Sequence, residues 1–208
     1  LGKTLGVMAK DVATRLTLND SAEQLLGGNT FRAVSLREVT AAAAQRNVSA
    51  VVYHFGSKTE LLECVLERHS EPMQQVFLDR ISQLEKDPSA TLRSFVDLLV
   101  NEMASKLDDV DGGRHYLSLC AQLAASPDYP LTERRCVQAP GAVALTQKLL
   151  TFGPRVHPQL FPFRMMRFTN VLSLSFVDYM RLANAGFQIP RDVFLKELTD
   201  ALILTVTG

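Results

Sequence analysis

The sequence predicts an all-α fold, with an N-terminal three-helix unit containing a helix-turn-helix and a larger helical C-terminal body. Three observations carry this. Ser35 and Ser57 each stand three residues ahead of a glutamate, Glu38 and Glu60, the spacing of an N-terminal capping box, so two helix starts lie close together. Residues suited to burial recur at i, i+3, i+4 and i+7 in Leu36, Val39, Thr40 and Ala43, and again in Val48, Val51, Val52 and Phe55. Beyond Lys58 the helical period persists and no segment reads as a strand.

In chain order, a first helix reads from about Thr14 through Leu18, Ala22, Leu25 and Leu26. Residues 1–13 read as a tag remnant or an N-terminal arm and carry no fold expectation. Ser35 opens the second helix, its hydroxyl facing the Glu38 N–H, with Val34 and Val39 as a hydrophobic staple. After a turn over residues 43–47, a third helix runs to Phe55. Burial of Val48, Val51, Val52 and Phe55 turns Asn47, Ser49, Ala50, Tyr53 and His54 outward. That face is short, polar and aromatic, and it holds no acid. It suits a major groove about 12 Å wide, where a carboxylate would be repelled by phosphate. Gly56 fits a sharp turn with positive φ.

The larger part reads as helices over 57–84, 88–107, 114–125, 130–150, 157–184 and 190–206. Pro88 is placed as a first helical residue, and Pro140-Gly141 breaks the fourth of these. The last two helices are apolar on more than one face, so one face packs inside the subunit and the other requires a second copy. The expected homodimer is a two-fold four-helix bundle with Phe176, Met180, Leu198, Leu202 and Val206 at its seam. An internal hairpin in a monomer is the alternative. Apolar and aromatic residues of the central helices (Phe95, Met103, Tyr116, Leu119, Cys120, Leu123, Leu149, Phe152, Phe168, Leu172 and Phe176) could line a pocket. Arg114, His115, Gln122 and Asn170 are its possible polar anchors.

From about Thr14 to Leu62 the chain resembles the DNA-binding domain of the tetracycline-repressor (TetR) family of bacterial transcription regulators. Thr14-Arg15 with Leu18, Ala22, Leu25 and Leu26 is similar to the family's first helix. Thr30-Phe31 stands where a Gly-aromatic pair is usual, and residues 35–40 match the second helix. The run Tyr53-His54-Phe55-Gly56-Ser57-Lys58, then Leu61, is the most specific signal. The resemblance implies a ligand-responsive dimer that binds a palindromic operator in double-stranded DNA, with repression the family's more usual mode, but not which ligand; the apolar central residues are what suit a small, largely apolar effector that releases the protein. It implies a DNA-binding domain over 14–60 and a ligand-binding and dimerisation domain over 61–208. Residue by residue, it implies phosphate contacts for Ser35 and Lys58, backbone or base-edge contacts for Tyr53 and His54, and a backbone contact for Arg37. Gln45, Arg46, Asn47 and Ser49, at the turn and the start of the third helix, are the candidates for sequence readout. The turn departs from the family, which usually has Ala-Gly there. Here Ala43-Ala44-Gln45-Arg46-Asn47 lacks the glycine and is one residue longer, so backbone strain must be met in another way.

Bulk properties set weak bounds. Net charge is zero, but residues 1–60 hold seven basic and five acidic residues, a balance of +2, against fifteen basic and seventeen acidic in the remainder, −2. The asymmetry has the sign that DNA binding requires. Cys64, Cys120 and Cys136 are odd in number and form no CxxC pair, which fits free thiols in a reducing cytoplasm, with redox sensing the minor alternative. No apolar run is long enough to span a membrane. The four histidines form no zinc spacing, and neither a phosphate loop nor G-x-S-x-G occurs, so no catalytic residue, metal or cofactor is expected. The rival reading is a dimeric helical module that binds small molecules or partners and no longer reads DNA.

Overall fold

A computed structural model of the chain describes residues 2–45, 47–126, 129, 133–153 and 158–208. Among them the elements are α1 (Gly2–Gly28), α2 (Leu36–Ala42), α3 (Ser49–Phe55), α4 (Lys58–Leu84), α5 (Leu92–Ser105), α6 (Gly113–Ala124), α7 (Arg135–Gln138), α8 (Pro140–Phe152), α9 (Phe161–Asn184) and α10 (Arg191–Thr207). A 3-10 turn, Pro158–Leu160, leads into α9. The described residues hold no strand, so the fold is all-α as the periodicity predicts. None of these helices is long and apolar enough to cross a membrane.

The first helix exceeds its expectation, because residues 2–13 are its first half. The second starts as predicted. Ser35 Oγ accepts from the Glu38 N–H at 3.2 Å, and the Ser35 N–H donates back to the Glu38 carboxylate at 2.7 Å. The Ser35 N–H and the Ser35 hydroxyl, both donating to that carboxylate, hold it below its ordinary range. Only half of the second box forms. Ser57 Oγ accepts from the Glu60 N–H, but the Glu60 carboxylate turns to Arg135 of α7, 3.2 Å away.

Elsewhere, α5 begins at Leu92 and not at Pro88. The Asp87 carboxylate accepts from the Ser89 N–H at 2.9 Å, which turns the chain before the helix can start. Pro72 lies inside α4 without ending it, although it removes one ladder donor. Buried Ser70 and Met73 on either side show packing overriding local preference. The expected break at Pro140 is present, with Ala139 extended and Pro140 as the first residue of α8. Residues 130–132 and 157 of the expected helices lie outside the described residues.

A continuous core runs from Leu18, Ala22 and Leu26 of α1 through Val39, Val51 and Phe55 to Phe176 and Leu202. α4 passes without a break through the expected boundary at residues 60 and 61. The core also corrects the expected dimer seam. Phe176, Met180, Leu198 and Leu202 are buried within their own subunit, and Val206 is half-buried. The Phe176 and Phe194 rings meet edge to face at 5.4 Å. Thr199 donates to Asp97 at 2.8 Å, fastening α10 to α5. Sequence shows that two faces of α9 and α10 are apolar, and α5, α6 and α8 of the same chain bury most of that surface. The large apolar residues left exposed are Phe163, Met166, Leu174 and Leu182 on α9 and Val193 and Leu204 on α10.

The glycine-free turn resolves into a specific strain. The Gln45 N–H donates to Thr40 O at 2.8 Å and the Ala44 N–H to Ala41 O at 3.0 Å. This is the Schellman pattern, and it requires a left-handed residue at Ala44, whose φ is +52°. An alanine there stores roughly 1–2 kcal/mol. Ala44→Gly removes that strain at the cost of a floppier unfolded chain, about 0.4–1 kcal/mol. The expected outcome in urea denaturation is a gain of up to about 1 kcal/mol for Ala44→Gly, and a loss for Ala44→Val, whose branched side chain resists positive φ.

Candidate nucleic-acid interface and ligand cavity

α3 is held by apolar residues on one side only. Val51 and Phe55 are buried, and Val48 and Ala50 are half-buried. Val52 is half exposed, not part of the buried stripe, because a helix of two turns has one supporting side. The exposed face therefore carries Ser49, Val52 and Tyr53, with Asn47 just before it. Tyr53 is 76% exposed. No acid lies on this face.

The predicted contact residues divide under the geometry. Tyr53, Ser49 and Arg37 are exposed, and among the described residues no hydrogen bond or ion pair holds their side chains; the Tyr53 ring only meets that of His54 edge to face at 5.0 Å. Asn47 Oδ1 accepts from the Ser49 N–H at 2.9 Å, which ties its side chain to the first residue of α3 and leaves its amide N–H groups free to meet a base. Gln45 is half-buried and folds back, donating to Ala43 O at 3.3 Å. The Ser35 hydroxyl is engaged in its capping box. Arg46 lies outside the described residues.

Two of the predicted contacts are corrected. The His54 side chain is only 7% exposed and its Nε2 lies 3.8 Å from Asp11 of α1, so it fastens α3 to α1 and does not face outward. The Lys58 ammonium donates to Phe31 O at 2.8 Å and to Arg32 O at 3.4 Å, so two of its three N–H donors bind the loop after α1. Partial burial pushes its pKa down, against the opposing pull of Glu38.

The loop that Lys58 holds is also held from the other side. The Phe31 N–H donates to Gln122 Oε1 at 2.7 Å, and Gln122 Nε2 donates to Leu26 O at 3.0 Å. Gln122, expected as a ligand anchor, thus straps α1 to α6. The helices cross closely, since a Cβ at Gly27 would run into His115. Beside the strap, Glu23 of α1 is 2% exposed, 2.5 Å from His69 and 3.1 Å from Arg68 of α4.

The cavity lies among α5 to α9. An inner chamber of about 170 Å³ is lined by Met103, Tyr116, Cys120, Leu149, Phe168 and Leu172, six of the eleven residues predicted for it. An outer chamber of about 510 Å³ is lined by Val143, Leu150, Phe161, Met166 and Asn170 among others. The two share Arg134, Val137, Thr146, Met165 and Thr169. Phe95, Leu119 and Leu123 pack into the core instead, and Phe152 is partly exposed with its ring 5.6 Å from that of Phe95. Of the expected anchors only Asn170 lines this cavity, while Arg114, His115 and Gln122 line a separate groove against α1.

Sequence reading missed Arg134, which is 5% exposed. Its Nη2 donates to Leu123 O and, at 3.0 Å, to Tyr129 O. Burial lowers its pKa. Nothing in the Arg134-Arg135 pair says which guanidinium is inside. Arg135 is the outer one, paired with Glu60, Glu63 and Glu67 of α4. Burial pushes the Cys120 thiol up to about 12 and the Cys136 thiol to about 11, so neither is a thiolate near neutrality, which disfavours redox sensing through this pair. Among the described residues no three His, Cys, Asp or Glu side chains gather as a metal site.

Among solved structures the chain is similar to that described as "multidrug binding protein EbrR complexed with imidazole". The identity is 19%, covering 93% of this chain and 90% of that chain, with a TM-score of 0.43. Neither the identity nor the score is high enough to carry residue roles across. No family model and no curated protein matches the chain.

The assignments separate on stability. His54→Ala empties a packed position and is expected to lower unfolding free energy by about 1–2 kcal/mol, whereas Tyr53→Ala and Ser49→Ala stay within about 0.5 kcal/mol of the parent in urea denaturation.

Proposed function

We propose that the chain is a ligand-responsive, DNA-binding transcriptional regulator of the tetracycline-repressor type, acting in the cytoplasm as a repressor. It binds a palindromic operator as a homodimer and releases it when a small, largely apolar molecule enters the cavity among α5 to α9. One observation carries the reading: α3 presents an acid-free face of Ser49, Val52 and Tyr53 from a rigid three-helix unit. A short helix so placed can enter a major groove. The domains of this reading are residues 14–60 for DNA and 61–208 for ligand and dimerisation.

α6 connects the two functions. Its Tyr116 and Cys120 line the inner chamber, and its Gln122 holds the loop after α1. A ligand that shifts α6 therefore shifts the unit that carries α3. Two such units must stand about 34–36 Å apart to meet successive major grooves, and a change in that spacing removes one half-site. By linkage, DNA weakens ligand binding to the same degree.

Gel shift of a fragment from the chain's own upstream region tests the reading. Salt-sensitive binding is expected, with the affinity reduced by Tyr53→Ala and with the log–log salt slope reduced by about one unit in Arg37→Ala. No binding at low salt would favour the rival module without DNA affinity.

The dimer, in this reading, uses the exposed residues Phe163 and Leu174 of α9 and Val193 and Leu204 of α10. Leu204→Glu is expected to elute as a monomer on sizing, with operator binding lost in step. A dimer unchanged by Leu204→Glu and Phe163→Glu together would place the interface elsewhere.

A further inference from the structure

The cavity's lining carries more chemical information than its size. Among the described residues lining the two chambers, Arg134 is the sole charged side chain, and no acid joins it. Met165, Phe168, Leu172 and their neighbours make the rest predominantly apolar. Arg134 stands where the chambers meet, 5% exposed, with its Nη2 on two neutral carbonyls and its Nε buried without a partner. The guanidinium carbon also lies 5.7 Å from the centre of the Tyr129 ring, yet neither that ring nor the carbonyls carries a formal negative charge. The nearby carboxylate Glu63 is paired with Arg135 and lines neither chamber.

We propose that the effector is an amphiphilic anion: an apolar body with a carboxylate head that binds Arg134 at the junction of the chambers. This rests on the reading of the cavity as the effector site. The guanidinium has lost its water on folding, so an entering carboxylate restores compensation without a second desolvation of the cation. A cationic amphiphile finds the opposite situation, an unpaired like charge in low dielectric. A neutral one gains only from its apolar body. Asn170, whose Oδ1 is buried without a partner, offers an acceptor in the outer chamber to a hydroxyl or amide further along the molecule.

The test is calorimetric titration of the full chain with decanoate, decanol and decylamine, which share one apolar body and differ in the head. Decanoate is expected to bind at least about tenfold more tightly than decanol, the effect of one hydrogen bond to a charged group, with decylamine the weakest. Arg134→Gln removes the advantage of decanoate while decanol still binds, and Arg134→Lys retains part of it. Thr169→Trp, filling the shared wall, abolishes binding of all three. Decanol equal to decanoate in the unaltered protein would overturn the anionic head and leave the cavity reading in place; this comparison decides even if Arg134→Gln does not fold. No binding of any of the three, or binding unaffected by Thr169→Trp, would overturn the cavity reading itself.

Discussion

The buried carboxylate of Glu23 is the constraint from which the arrangement of this molecule follows. It sits on α1, and its partners, His69 and Arg68, sit on α4. His69 in turn stacks on Tyr116 of α6 at 4.8 Å and lies 3.6 Å from Asp109 in the connection before α6. A carboxylate removed from water is tolerable only while those partners stay in place, and breaking such a pair typically costs roughly 3–5 kcal/mol. α1 therefore cannot slide along α4 or α6 independently. The Phe31 peptide, gripped by Gln122 and Lys58, repeats the constraint one turn beyond the end of α1. With α1 fixed, α2 and α3 have a single position, and the direction in which Tyr53 projects is set by side chains far from it.

What was legible in the sequence was local, and what was not depended on distant partners. The Ser35–Glu38 box needs only its own turn, and it forms as spaced. The Ser57–Glu60 box has the same spacing but forms by half, because Arg135, far along the chain, competes for Glu60. Val52 and His54 exchange their expected environments for a similar reason. Periodicity fixed the buried stripe to within one residue, and α1, extended beyond its expected start, supplied Asp11 as the partner that draws His54 inward. Of the nine candidate contacts in the helix-turn-helix, Tyr53, Ser49 and Arg37 remain outward with no hydrogen bond on their side chains, while several others hold the unit together.

The last two helices show a different limit. An apolar circumference states how much surface must be covered and is silent about what covers it. For α9 and α10 most of the cover is the subunit's own α5, α6 and α8, which left the predicted seam inside. The cavity was half legible, since large apolar residues of central helices are common to cores and pockets alike. What distinguishes the pocket is a buried cation, and the sequence offers two consecutive arginines with no local difference between them.

In the proposed reading, these features set how ligand and DNA oppose one another. A ligand moves an equilibrium only as far as its affinities for the two arrangements differ. The cavity wall and the strap to α1 are on one helix, so α6 cannot adapt to a large occupant without loading the Gln122 bonds and the His69–Tyr116 stack. Those contacts, two amide hydrogen bonds and a ring stack, form a compact set that resists small displacements and fails together under larger ones. A two-state response is therefore expected of this junction more than a graded one. The raised thiols of Cys120 and Cys136 point the same way, because a wall whose cysteines stay protonated responds to occupancy and not to oxidants.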